Sequence, residues 1–174
     1  MAEFTAETPI VAAFLLPLDA DQLNWIGTLA ALWSQLEFLS ELWIYHLRGQ
    51  SFSEGRREGV PRDISQRLGK LRALAGDNLG GDQRRIVVAL CDRGTVAAPK
   101  RNLALHGNWM LHHGLGVVAA VSWFKVTLDE PLQALPIDDL PPLVLEVGQV
   151  GRIMLDLLVK RGAELPGPGT QLGA

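Results

Sequence analysis

Residues 100–109 read KRNLALHGNW, and this stretch decides the fold because the sequence pattern changes within it. The segments before it carry apolar residues at helical spacing, whereas the run after Gly107 is rich in Val, Trp, Phe and Thr, which favour strands. Gly107 is well placed to end a helix in a left-handed turn. The same stretch gathers an arginine, an amide and an imidazole. We therefore expect it to hold the functional site as well.

Upstream of this stretch, the longest predicted helix begins at an N-cap formed by Asp19 or Asp21 and ends near Leu47. Its apolar side chains follow a 3-4 repeat, which makes one face suitable for a core or a partner. The three tryptophans of this helix are predicted to be packing residues or a dimer seam rather than a ligand box. Glu37 and Glu41 are placed on a wet face, although either could face an interior arginine.

Two further helices are predicted before the central stretch. Residues 48–62 lack a periodic pattern and are expected to form a mobile basic loop. A second helix should start near Asp63, with Arg67 on its rim, and a third should be capped by Asp82. Pro99, together with Gly94, is expected to interrupt or kink the third helix.

Downstream of Gly107, residues 109–112 and 117–127 are predicted to pair as a β-hairpin that lies against the helices. Residues 131–142 form a connector, and a last helix begins at the prolines that end it. The complete prediction is a mainly α single domain over residues 21–162, built as a four- to five-helix bundle with one small hairpin. Residues 1–20 are expected to be an irregular lead-in and residues 163–174 a disordered tail.

Composition narrows the class of protein. The hydrophobic share of 48% and the charged share of 20% are close to globular averages, so a folded domain is expected. Cys91 is the single cysteine, which excludes a disulfide framework and a multi-cysteine zinc site and predicts a buried, inert thiol. Acidic residues rather than basic ones precede the apolar run at residues 9–18, unlike a signal peptide. We expect a cytoplasmic protein without a membrane helix.

Charge is distributed unevenly along the chain. From Arg48 to Arg101 there are twelve Lys or Arg against six Asp or Glu, whereas the rest of the chain carries four against thirteen. A basic middle of this kind is compatible with a phosphate-binding face. It is equally compatible with ordinary solvated helix faces.

Three side chains of the central stretch are suited to phosphate chemistry. The fork of Arg101 grips phosphate and stays charged, and the imidazole of His106 exchanges protons near neutrality. Asn102 can donate to a phosphate oxygen or orient the imidazole. Together they would suffice to cleave RNA without a metal. The alternative is structural, with Arg-Asn holding carbonyls at a helix bend and His-Gly forming a C-cap.

Helical spacing constrains how these groups can meet. Asn102 and His106 are four residues apart and share a helix face. Arg101 and His106 are five apart, which places them roughly 140° apart around a regular helix. They converge only if the helix ends or unwinds between them, or if a second copy brings its own motif opposite. His112 and His113 would point to opposite faces of a strand, so no metal site is predicted.

The string from Arg101 to Gly107 resembles the Arg-Asn-x-x-x-His-Gly signature of HEPN-type proteins, which are helical bundles of toxin–antitoxin, phage-defence and RNA-processing systems. The resemblance implies a metal-independent, cofactor-free endoribonuclease in which two motifs meet at a dimer interface. In it Arg101 would stabilise the phosphate, His106 would be the acid–base and Asn102 would orient. Pro99 and the hairpin after Trp109 depart from the minimal pattern.

Partners follow from the same resemblance. The expected partners are RNA, a second copy of the chain, and an antitoxin or nucleotidyltransferase. We assign RNA contacts to Lys100, Arg93 and Trp109. The rival hypothesis is a non-enzymatic helical module that binds a nucleotide or a protein.

Overall fold

The computed structural model describes residues 18–112, 116–122 and 133–162, and these form a mainly α fold, as predicted. In this part of the chain five helices accompany one three-stranded antiparallel sheet. The helices are α1 (Ala20–Leu47), α2 (Phe52–Glu58), α3 (Ile64–Asn78), α4 (Gly81–His106) and α5 (Leu140–Lys160), and the strands are β1 (Asn108–His112), β2 (Val117–Val121) and β3 (Ala134–Pro136). The predicted lead-in and tail lie almost entirely outside the described residues.

Helix α1 is the central element of the core, and its start is fixed by a capping box. The Asp19 carboxylate accepts from the Gln22 backbone N–H, and the Gln22 side chain accepts from the backbone N–H of Asp19. Trp33 and Trp43 are fully buried, so the prediction that they are packing residues is confirmed. Because both rings lie inside the protein's own core, neither is available to a dimer seam.

Residues 48–62 contain a short helix that the loop prediction missed. Ser51 caps α2 by accepting from the backbone N–H of Glu54, and the Glu54 carboxylate accepts from the backbone N–H of Ser51, which forms a second capping box. Gly55 lies flat against the ring of Tyr45, where any side chain would collide with it. Helix α2 also packs on α1 through Phe52, whose ring lies edge-on to the rings of Phe38 and Tyr45.

Helix α3 starts at the predicted cap, Asp63, but the placement of Arg67 on its rim was wrong. Arg67 is only 6% exposed. Its guanidinium donates to the carbonyls of Pro61 and Glu37 at 2.9 and 3.0 Å and pairs with Glu41 at 3.3 Å. The alternative in which a carboxylate of α1 faces an interior arginine therefore holds for Glu41, and the wet-face prediction for it was wrong.

Helix α4 is continuous where an interruption was predicted. Its N-cap is Gly80 rather than Asp82, which lies in the first turn, and the helix runs through Pro99 to His106. Pro99 is exposed, so its ring meets solvent rather than a packed neighbour. Gly94 is buried against Leu68 of α3, where a Cβ would lie 2.9 Å from a Leu68 methyl carbon. Gly94 therefore allows close packing of α4 on α3.

The predicted hairpin is present as β1 and β2, but the sheet has a third strand. Trp109 is paired with Ala120 in the antiparallel β1–β2 register, and β3 pairs with the other edge of β2 through Leu135 and Ala120. β3 is only three residues long and falls in the predicted connector, where no periodic signal marks it. The second strand ends at Val121, and residues 123–127 of the predicted strand lie outside the described part.

Helix α5 packs against α1 and α4. It begins at Leu140 with prolines in its first positions, as predicted, and Asp139 is its N-cap residue without a side-chain cap bond. Gly148 allows close approach to α1, since a Cβ there would lie 3.4 Å from a Leu32 methyl carbon. Just beyond the helix, Arg161 donates to His46 at 3.1 Å and thereby ties α5 to the end of α1.

The single cysteine lies inside the helical core. Cys91 is 1% exposed, and burial, aided by Asp92, raises the pKa of its thiol to about 12. The prediction of a buried thiol is therefore confirmed. Among the described residues, no helix combines the length and apolar character needed to span a bilayer.

Candidate functional site at the end of helix α4

The motif Arg101–His106 occupies the last turn and a half of α4, and the helix ends where the sequence predicted. Gly107 is in the extended region at φ −76° and ψ 161°, not in the predicted left-handed turn. Its backbone N–H donates to the Leu103 carbonyl at 2.8 Å and the chain then continues directly into β1. A Cβ at Gly107 would lie 2.5 Å from that carbonyl oxygen and 3.3 Å from Ala120 Cβ. Glycine is therefore required here for close approach of the sheet.

Arg101, Asn102 and His106 come together within one chain. Arg101 Nη1 donates to Asn102 Oδ1 at 3.0 Å and lies 3.5 Å from His106 Nε2, the outer limit of a hydrogen bond. The long arginine side chain spans the angle that separates its Cα from that of His106. Asn102 and His106 are exposed and Arg101 is half-buried, so the cluster is open to solvent.

The role of His106 Nε2 in its contact with Arg101 depends on the tautomer of the imidazole. Arginine can only donate, so Nε2 accepts a hydrogen bond from it only in the tautomer in which Nε2 carries no proton. A neutral imidazole with an available Nε2 lone pair is the form that acts as a general base.

The guanidinium of Arg101 rests on an aromatic face. Its Cζ lies 5.3 Å from the ring centroid of Trp33, which is within cation–π range. Arg101 Nε is buried and has no hydrogen-bond partner among the described residues. In the same part of the chain, no carboxylate oxygen lies within 4.0 Å of an Arg101 nitrogen. The positive charge therefore remains available to an anion.

Trp109, an expected RNA contact, has a structural role in addition. Its indole N–H donates to the Ala104 carbonyl at 3.1 Å, which satisfies one of the unpaired carbonyls at the end of α4. The ring is half-buried against the core. Trp109 thus fixes β1 to the motif turn, and its partly exposed ring lies close to the motif.

Arg93 and Lys100 line a groove of about 510 Å³ between α4 and α5, together with residues such as Val96 and Leu143. The lining residues of this groove do not include Arg101, Asn102 or His106. Arg93 precedes Arg101 by eight residues, or about 12 Å along the helix, whereas Lys100 directly precedes Arg101. The assignment of RNA contacts to Arg93 and Lys100 stays a prediction.

The guanidinium of Arg93 is already hydrogen-bonded to side chains of α5. It forms two parallel hydrogen bonds with Glu146, at 2.6 and 2.8 Å, and a third with Gln149 at 3.2 Å. The hydrogen bonds from Arg93 hold the pKa of Glu146 below its usual value, and those to Glu146 raise the pKa of Arg93. Phosphate would have to displace Glu146 to use this fork. Lys100, in contrast, is exposed.

Trp33 and Glu37 are the neighbours of the motif that sequence reasoning missed as site residues. Trp33 was placed in the apolar stripe of α1, which is correct, but nothing in the sequence links it to Arg101. Its indole N–H donates to Glu37 Oε1 at 2.8 Å. The sequence contained only a weak indication of this pair, namely an aromatic residue and a carboxylate one helical turn apart.

No three His, Cys, Asp or Glu side chains gather in a metal-binding arrangement within residues 18–112, 116–122 and 133–162. Comparisons with protein-family models, curated proteins and solved structures find no match to the chain.

Proposed function

We propose that this chain is an HEPN-like, metal-independent endoribonuclease that acts as a homodimer in stress response or phage defence. The observation that carries the proposal is the meeting of Arg101 and His106 at 3.5 Å in a solvent-open position, despite their divergence around the helix. A fixed positive charge beside an imidazole that exchanges protons is sufficient to cleave an RNA phosphodiester bond with the adjacent 2′-hydroxyl as nucleophile.

The reaction follows from these groups. His106 Nε2 takes the proton of the ribose 2′-hydroxyl as the 2′-oxygen attacks phosphorus. The bond from phosphorus to the 5′-oxygen breaks, and this oxygen takes up a proton from an imidazolium. The products are a 2′,3′-cyclic phosphate and a 5′-hydroxyl, so neither water nor a metal ion is consumed in this step.

Arg101 has the electrostatic role in this scheme. Negative charge accumulates on the nonbridging phosphate oxygens during attack, and a guanidinium can donate to two of them at once. Asn102 keeps the fork near the imidazole through its 3.0 Å hydrogen bond to Nη1. On substrate binding, Nη1 would exchange its long contact with His106 for a phosphate oxygen, which releases Nε2 for the proton.

A second copy of the chain completes the proposal. One imidazole cannot be the base and the acid in the same step, whereas two motifs facing each other supply both. The homodimer predicted from the family resemblance would provide that second His106. An antitoxin or a nucleotidyltransferase would be a suitable inhibitor of such an enzyme, by covering or modifying the exposed end of α4.

The test is RNA cleavage by the purified protein in the presence of EDTA. Wild type is expected to cleave, and His106→Ala to lose about 10²–10⁴-fold in kcat. Arg101→Ala should lose about 10²–10³-fold, while Arg84→Ala, an exposed arginine earlier on α4, serves as the matched control and should cleave as wild type does. An RNA with 2′-deoxy substitution at the cleaved position should resist. Absence of cleavage, or cleavage unchanged in His106→Ala, refutes the proposal.

A second candidate function is a non-enzymatic helical module that binds a nucleotide or a protein. The observation in its favour is that Arg101 Nη1 already has two internal partners, Asn102 and His106. In such a module Arg101 would bind anions and His106 would only orient it. Oligonucleotide binding that depends on Arg101, in a protein that cleaves no RNA, would identify this function.

A further inference from the structure

Arg101 is held in place differently from the arginines that form ion pairs in the structure. Arg93, Arg67 and Arg72 are fixed by carboxylates, at 2.6, 3.3 and 3.0 Å respectively. A carboxylate neutralises the guanidinium and occupies its fork. Arg101 instead lies over the fully buried ring of Trp33, 5.3 Å from the centroid. An aromatic face attracts the cation without neutralising it.

The ring of Trp33 is itself fixed in place. Its N–H donates to Glu37 Oε1 at 2.8 Å. The backbone carbonyl of Glu37 in turn accepts from Arg67 Nη1 at 3.0 Å and from Ser40 Oγ at 2.7 Å. An anionic acceptor on the indole N–H also increases electron density in the ring, which strengthens its attraction for a cation.

We propose that Trp33, oriented by Glu37, is a positioning residue that holds the Arg101 guanidinium beside His106 while leaving its fork and charge to the substrate phosphate. This inference rests on the proposed nuclease function. Trp33 does not contact the reacting atoms, because it lies beneath the guanidinium and is sealed from solvent. It acts only through Arg101.

The chain offers a matched control in Trp43. Both tryptophans are buried on α1, and both donate one indole hydrogen bond, that of Trp43 going to the Met154 carbonyl at 3.0 Å. Substitution of either therefore removes similar volume and one buried hydrogen bond. Only Trp33 contacts the motif arginine, so the difference between paired variants isolates its effect on Arg101.

The experiment measures kcat, KM and thermal stability for Trp33→Phe, Trp33→Leu, Trp43→Phe and Trp43→Leu with RNA and EDTA. We expect Trp33→Leu to lower kcat by about twofold to thirtyfold relative to Trp43→Leu, the range that cation–π interactions span. Trp33→Phe should recover part of this loss because it retains an aromatic face. KM should change less than kcat, since the phosphate charge that Arg101 meets grows during the reaction.

A further variant tests the proposal without removing a buried aromatic ring. Glu37→Gln retains an acceptor for the indole N–H but removes its charge, and we expect a loss of a few fold in kcat with little change in melting temperature. An active wild type combined with equal losses in the Trp33 and Trp43 pairs, and none in Glu37→Gln, overturns the positioning role alone. A wild type that leaves RNA intact refutes the nuclease itself, so the two failures are distinguishable.

Discussion

Substitution of Gly107 by alanine tests the link between the fold and the motif. The new Cβ would lie 2.5 Å from the Leu103 carbonyl oxygen and 3.3 Å from both Ala120 Cβ and the Val121 backbone nitrogen. Two of these three neighbours are backbone atoms of packed elements, which cannot rotate away as a flexible side chain can. Either the last turn of α4 or strand β2 must therefore move.

The cost can be estimated from that geometry. The carbonyl must move by about 0.5 Å to reach 3.0 Å, below which a Cβ contact does not occur. Overpacking of this kind destabilises by about 1–3 kcal/mol, which corresponds to a fall of about 2–12 °C in melting temperature for a chain of this size. The same shift would displace His106 relative to Arg101. A displacement of about 1 Å in a catalytic group can reduce the rate about 10²-fold, so we expect about tenfold for half of it.

Urea and thermal unfolding measure the first effect, and RNA cleavage in EDTA measures the second. Gly69→Ala is the matched control, because Gly69 lies in α3 and an added methyl group there would meet nothing within 4 Å. It should stabilise by about 0.5–1 kcal/mol through helix propensity alone. A Gly107→Ala protein as stable as wild type would refute the close-approach argument. Loss of stability with full activity would show that the motif does not depend on this turn.

Three further predictions concern stability. Burial and Arg161 hold the pKa of His46 below its usual value, so the unfolded chain binds a proton at this side chain more readily than the folded protein does. The free energy of unfolding should therefore fall as pH drops through about 6.5, and it should fall less steeply in His46→Gln. Urea titration at several pH values measures both slopes. Arg67→Met should cost about 3–5 kcal/mol, because two backbone carbonyls lose this donor and Glu41 keeps only its longer contact with Arg56 at 3.8 Å; thermal unfolding would detect this loss. Ser51→Ala should cost about 1 kcal/mol through loss of a cap, seen as faster amide exchange in α2.

Sequence reasoning succeeded where local chemistry alone sets the structure. The start of α1 at Asp19 and of α3 at Asp63 could be predicted, since a side chain that accepts from the first-turn N–H groups marks a boundary. The start of α2 could also have been predicted, because Ser51 and Glu54 have the spacing of a capping box. The loop prediction prevailed because the segment contains few apolar residues. Helix continuity through Pro99 was not predicted, because proline lacks the N–H for a helical hydrogen bond and its ring crowds the carbonyl four residues earlier, which favours a kink or a break.

The site illustrates what sequence spacing leaves undetermined. The residue types of the motif indicated Arg101, Asn102 and His106 as site residues. Their spacing on a regular helix, however, predicted that Arg101 and His106 point in different directions. Their proximity depends on the extended arginine side chain reaching across the last helical turn. The support from Trp33 comes from a residue 68 positions away, and such long-range pairing is set by tertiary packing rather than by any local pattern.

The buried thiol on α4 gives this protein an internal reporter. With a pKa of about 12 and almost no exposed surface, Cys91 should resist alkylation at neutral pH while the helices stay packed. Labelling would then occur only during openings of the bundle, and its rate would measure how often α4 separates from its neighbours. Because the sequence contains no other cysteine, every modified molecule records an opening at that one position of the helix that carries the motif.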